Sequence, residues 1–141
     1  MKIQLLEQLQ RDEGFRGEAY QDTLGYWTIG FGRLIDARRG GGITFDEALE
    51  LLSNDVDKKT EEVLRVLPWV KDLDEARQGV LVNMAFQLGM SGLLKFKTTL
   101  DLVKQGKYDM AATAMRDSLW AKQTPHRANR LAKQMITGEW A

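Results

Sequence analysis

The sequence predicts a predominantly helical α+β protein of two lobes, a small one built on a β-hairpin and sheet and a helical one, joined by a long helix. Three observations carry this. Apolar residues recur at three- and four-residue steps through most of the 141 residues, as on helices with one buried face. The segment Glu18 to Leu34 breaks that rhythm with aromatic and β-branched residues on either side of a glycine-containing turn. A strongly charged helical stretch, Asp55 to Glu62, then suits an exposed helix between lobes. The whole chain, 1–141, is predicted to be one domain, with about 14–58 as the smaller lobe and connecting helix, and 1–13 with 59–141 as the helical lobe.

The first helix is marked by Ile3, Leu6 and Leu9, with Glu13 in line with that stripe. The hairpin follows, with Asp22, Thr23, Leu24 and Gly25 as its turn. Arg38, Arg39 and Gly40 to Gly42 read as a loop leading to a short third strand at Ile43. Thr44 and Glu47 have the spacing of a capping box and start a long helix, whose apolar side is Phe45, Ala48, Leu49, Leu52, Val56, Val63 and Leu64. Pro68 sets its far limit. Between Ala76 and Leu88 apolar residues lie on every side, as on a helix surrounded by others. Shorter helices follow, divided at Gly89, Gly92, Gly106 and Gln123 to Pro125. In the last of them Thr124 is placed to cap, Pro125 suits the first helical position, and Ala128, Leu131, Ala132 and Met135 point inward.

Composition narrows the chemistry. With no cysteine and one histidine, neither a disulfide framework nor a thiolate or zinc site is expected, and any catalysis is expected to need no metal or other cofactor. No strictly apolar run exceeds three residues, so the expectation is a chain made without a signal peptide and without membrane insertion. Formal net charge is zero, but residues 1–75 carry 10 basic against 16 acidic side chains, and residues 76–141 carry 10 against 4. A basic half attracts acidic polymers, and charge alone does not choose between peptidoglycan and nucleic acid; two mutually attracting solvated surfaces explain most of it equally well.

Two carboxylates stand out. In line with an apolar stripe, Glu13 is expected to have its ionised form disfavoured, as a general acid needs, although on position alone an exposed or arginine-bridged glutamate of the last turn is the plainer reading. Asp22 alone is a common turn-opening residue, and Thr28 alone a good strand former whose hydroxyl can hold a water. Asn83 and Gln87 share a helix face where carboxamides can meet sugar groups, or are simply satisfied by backbone. Arg127 borders the inward stripe of the last helix, or is an ordinary surface arginine.

Taken together, Asp12 to Gly32, D-E-G-x-R-x-x-x-Y-x-D-T-x-G-Y-x-T-I-G-x-G, resembles the catalytic signature of the phage-type lysozymes, the T-even bacteriophage lysozyme family of glycoside hydrolases. The resemblance runs on in order through N-D-V-D at Asn54 to Asp57, N-M-x-F-Q-x-G at Asn83 to Gly89, W-x-x-Q-T-P-x-R at Trp120 to Arg127 and T-G-x-W at Thr137 to Trp140. It implies a lysozyme-like two-lobed fold and an endolysin that cleaves the β-1,4 bond between N-acetylmuramic acid and N-acetylglucosamine of peptidoglycan.

The roles it implies are specific. Glu13 would protonate the leaving oxygen while Asp22 and Thr28 orient a water on the opposite face, as in an inverting glycosidase; a retaining role for Asp22 stays open. Leu34, Phe86, Gln87 and Gln123, with Trp120 as an alternative core aromatic, would line a cleft between the lobes, and Arg127 would support Glu13 by pairing with it. Where such lysozymes often read G-x-G-H, this chain has Arg33, and an ion pair between Arg33 and Asp55 is expected in place of the histidine–aspartate pair. The partners implied are peptidoglycan strands and no nucleic acid, for a monomer. The enzyme would accumulate in the host cytoplasm and reach the wall through a phage membrane pore. Two rivals are a wall-binding module that has lost catalysis and a virion-associated structural homologue. The first should have replaced an acid, and the second would more naturally carry further domains.

Overall fold

The computed structural model describes residues 2–35 and 42–141, so the loop from Arg38 to Gly41 lies outside the described residues. The elements are α1 (Lys2–Glu13), β1 (Arg16–Gln21), β2 (Trp27–Gly30), β3 (Arg33–Leu34), α2 (Phe45–Val66), a 3₁₀ turn (Pro68–Asp72), α3 (Glu75–Leu94), α4 (Lys97–Lys104), α5 (Tyr108–Arg116), α6 (Leu119–Gln123) and α7 (Pro125–Thr137). This is the predicted helix-dominated α+β class. The chain divides into two compact units, Met1–Leu52 and Ser53–Ala141, with the boundary inside α2.

In the first unit the three strands form an antiparallel sheet in the order β1-β2-β3. Tyr20 pairs with Thr28, and Thr28 in turn with Leu34, so these three stand in one row across the sheet. The sequence reading of a single return arm to Leu34 and a third strand at Ile43 is corrected here. Gly30 and Gly32 both take positive φ, 69° and 68°, and turn the chain back at once, so the third strand is Arg33–Leu34 and Ile43 lies in the coil before α2. The capping box is present: Glu47 Oε1 accepts from the Thr44 N–H and Thr44 Oγ1 from the Glu47 N–H, each at 3.1 Å.

In the second unit a single core gathers Val63 of α2 with Val80, Leu81, Met84 and Ala85 of α3, Val103 of α4, Met115 of α5, Trp120 of α6 and Leu131 and Met135 of α7. Of the apolar side predicted for α2, Val63 and Leu64 join this core, whereas Phe45, Leu49, Leu52 and Val56 are exposed. As the sequence predicts, α3 is a core helix: Val80, Leu81, Met84, Ala85, Met90 and Leu93 all join this cluster. Asp74 caps it, accepting from the Arg77 N–H at 3.0 Å. Its helical path breaks at Gly89, where φ is 72° and ψ 167°. No single helix among the described residues is long and apolar enough to cross a membrane.

The last helix differs from expectation in its cap. Pro125 does open α7, but Thr124 makes no side-chain cap there; its hydroxyl donates instead to the Trp120 carbonyl at 2.9 Å, closing α6. The far end of α7 is held by Arg77, which donates to the carbonyls of Met135 and Ile136, both at 2.8 Å, while lying 3.7 Å over the Tyr108 ring. These carbonyls are among the last four of the helix, which have no intrahelical partner. Arg77→Ala is therefore expected to lower stability by about 2–3 kcal/mol, read from the urea midpoint. A shift within error would show that water replaces the guanidinium at no cost.

Candidate active site

Glu13 is the last residue of α1, and the turn after it is made by Gly14, whose φ of 70° and N–H bonded to the Gln10 carbonyl close the helix. The chain then enters β1, so the carboxyl stands beside the sheet. A pocket of about 440 Å³ opens there, lined by Glu13, Tyr20, Asp22, Tyr26, Thr28, Gly32 and Leu34. Four of the residues predicted from sequence, Glu13, Asp22, Thr28 and Leu34, thus meet in one concavity of the first unit.

Strand geometry explains the meeting. Asp22 and Tyr26 stand one residue beyond the paired strands, joined by the Asp22 N–H donating to the Tyr26 carbonyl at 2.8 Å, while cross-strand pairing places Thr28 between Tyr20 and Leu34. Thr28 is 5% exposed and donates weakly to the Tyr26 carbonyl at 3.3 Å. Asp22 takes the turn-opening part its sequence allowed. Its Oδ1 accepts from the N–H groups of Leu24 and Tyr26, at 2.9 Å each, which fixes the turn; Oδ2 carries neither of these bonds. Within its own unit Glu13 is solvent-exposed, not set among apolar groups, because Ile3, Leu6 and Leu9 of α1 are themselves exposed. Its close neighbour is the backbone of Gly32.

The other expected site residues lie in the second unit. Gln87, on α3, accepts from the Trp120 indole N–H at 2.9 Å, and Trp120 is buried, meeting Phe96 edge to face at 5.8 Å, so it is a core aromatic. Phe86 is exposed beside Gln87, and Gln123 is exposed at the end of α6. Arg127, for which Glu13 was the implied partner, is held within its unit by Asn83: Nε and Nη2 donate to Asn83 Oδ1 at 2.9 and 2.7 Å. Among the described residues no three His, Cys, Asp or Glu side chains come together in a way that would hold a metal ion. Tyr20, Tyr26 and Gly32 are pocket residues that the sequence reading did not single out.

Arg33 requires a correction. Its guanidinium pairs with Glu47, not Asp55: Nε donates to Oε2 at 3.1 Å and Nη2 bonds the same oxygen. The reason is that β3 begins at Arg33, next to the coil that leads into the first turn of α2. Glu47 thereby divides its oxygens between the helix cap and the sheet. The Thr44 N–H foremost, and then Arg33, hold its carboxyl below the ordinary value of 4.5. The fold thus favours the ionised form, so this contribution to stability is full above the unfolded-state value and is lost as pH falls through the lower folded one. Glu47→Gln keeps the capping geometry and removes the charge. It is expected to cost stability at neutral pH and progressively less in acid, by urea unfolding across that range; an equal cost at every pH would refute the ionic contribution.

The phage lysozyme family matches residues 10–134 of this chain. Over 96% of its length the chain is 35% identical to the pre-baseplate central spike protein Gp5 of Enterobacteria phage T4, spanning 28% of that protein. It is 32% identical over 98% of its length to the probable T4-type lysozyme 1 of Dictyostelium discoideum, of which it covers 96%. The peptidoglycan hydrolase gp36 of Pseudomonas phage phiKMV is 29% identical over 92% of the chain, which spans 15% of that protein. The family match takes in all three residues read as catalytic from the sequence and the pocket that gathers them. The chain belongs to the phage lysozyme family and is a lysozyme-like hydrolase.

Proposed function

We propose that the protein is a muramidase that hydrolyses the β-1,4 bond between N-acetylmuramic acid and N-acetylglucosamine in bacterial peptidoglycan. The observation that carries this is the convergence of Glu13, Asp22 and Thr28 on one pocket of the sheet face. Glu13, exposed and next to a bare backbone, protonates the glycosidic oxygen. Asp22, with Oδ1 tied into the turn, presents its charge to the developing oxocarbenium and, with Thr28, orients the attacking water, an inverting course. Tyr20, whose ring carries the Arg16 guanidinium at 4.2 Å, and Tyr26 line the same pocket. Leu34 of this pocket contacts the glycan on this reading, and the enzyme works as a monomer on peptidoglycan with no part for nucleic acid.

The biological setting proposed is host lysis, with the enzyme accumulating in the host cytoplasm and reaching the wall through a phage membrane pore. It rests on the family resemblance. A second reading, a lysozyme segment of a virion protein, is favoured by the 35% match to a pre-baseplate central spike protein of which the chain spans 28%. The deciding experiment incubates the protein with purified peptidoglycan and identifies the new sugar ends. Muramic acid reducing ends of inverted anomeric configuration are expected. Anhydro sugars would mean a transglycosylase, and binding without cleavage a wall-binding module. Detecting the chain within purified phage particles would favour the virion reading.

A further inference from the structure

Gly32 lines the pocket beside Glu13. A Cβ built on it would stand 2.3 Å from Glu13 Oε2, 2.7 Å from Cδ and 3.1 Å from Cγ. No real side chain occupies that space, so the carboxyl of Glu13 rests where the side chain of residue 32 would otherwise be. Two other glycines beside the sheet share its left-handed backbone, Gly14 and Gly30 with φ of 70° and 69°, yet a Cβ on either would meet nothing within 4 Å. Backbone conformation therefore explains a glycine at all three positions, and at Gly32 there is a second cause. The turn itself is tethered at the next residue, where Arg33 is bonded to Glu47 of the α2 cap.

We propose that Gly32 is the positioning residue for Glu13: its bare α-carbon is the seat of the carboxyl, and Arg33 anchors that seat to α2 through Glu47. This deepens the reading of Glu13 as the general acid and rests on it. Glutamate has several rotatable bonds, so any side chain at 32 is accommodated by swinging the carboxyl away from its place. A displacement on the order of 1 Å costs about 10²-fold in rate when a reacting group must be aligned.

The test compares Gly32→Ala with Gly30→Ala. Both force alanine into the same left-handed conformation, and the first also evicts Glu13. Gly32→Ala is expected to lower kcat on soluble glycan fragments by about 10²-fold with KM changed little, whereas Gly30→Ala loses far less kcat. Equal kcat losses in the two variants would overturn the proposal. A structural readout needs no activity: in crystals of Gly32→Ala the Glu13 carboxyl is expected to have left its parental place, and in those of Gly30→Ala to keep it. A carboxyl in its parental place in Gly32→Ala would overturn the proposal; if Gly32→Ala alone does not fold, Glu13→Ala is expected to restore folding, and a double variant that also fails to fold would overturn it. If the unaltered protein cleaves no peptidoglycan, the reading of function fails while the place of the carboxyl still judges the seat.

Discussion

Glu13→Gln is expected to fold as the parent does, to bind peptidoglycan, and to cleave it about 10²–10⁴-fold more slowly, the contribution a positioned general acid makes. The side chains have the same shape and the position is exposed, so little stability is at stake. Glutamine fills the seat beside Gly32 but has no proton of suitable acidity to give the leaving oxygen. Turbidity and reducing ends, followed on equal amounts of both proteins, measure the ratio. Equal rates would assign the acid to another residue.

How much of this was legible in the sequence depends on the kind of signal. The helices of the second unit were readable because their apolar periodicity reports burial directly: Ala128, Leu131, Ala132 and Met135 were expected inside and are buried. Thr44 with Glu47 was readable because a capping box is a local device. The third strand was not, since its placement depends on two glycines taking positive φ, and glycine in a sequence marks freedom of the backbone without saying which conformation is used. For the same reason Arg33 was matched with Asp55 by analogy when the sheet in fact presents it to Glu47. Tyr20 and Tyr26 were within reach: each stands two residues before one already singled out, Asp22 or Thr28. The closeness of the Glu13 carboxyl to Gly32 joins residues 19 apart, and no periodicity records such a contact.

Asp22 yields the second large expectation, because the residue has two separable duties. Asp22→Ala removes the acceptor of two turn N–H groups together with the charge facing the pocket, and is expected to lose about 1–3 kcal/mol of stability and most activity. Asp22→Asn keeps an oxygen for Leu24 and Tyr26, so it is expected to stay within about 1 kcal/mol of the parent, while hydrolysis falls with the lost charge. The orders of the two effects therefore differ: stability should separate the variants and activity should not. Denaturant midpoints and initial rates on one set of preparations decide this. An asparagine variant with full activity would leave Asp22 as a turn residue only and return the water-orienting role to Thr28 or to a residue outside the pocket.

The shared carboxylate of Glu47 has a dynamic consequence. One oxygen holds the first turn of α2 and the other holds β3, so neither can fray without releasing a partner of the other. In amide hydrogen exchange the N–H groups at the start of α2 and those of the β2–β3 ladder should open as one event with one free energy. Such linkage makes the acid's seat as persistent as the helix end to which it is tied, and a weakened helix start would appear first as a faster-exchanging hairpin.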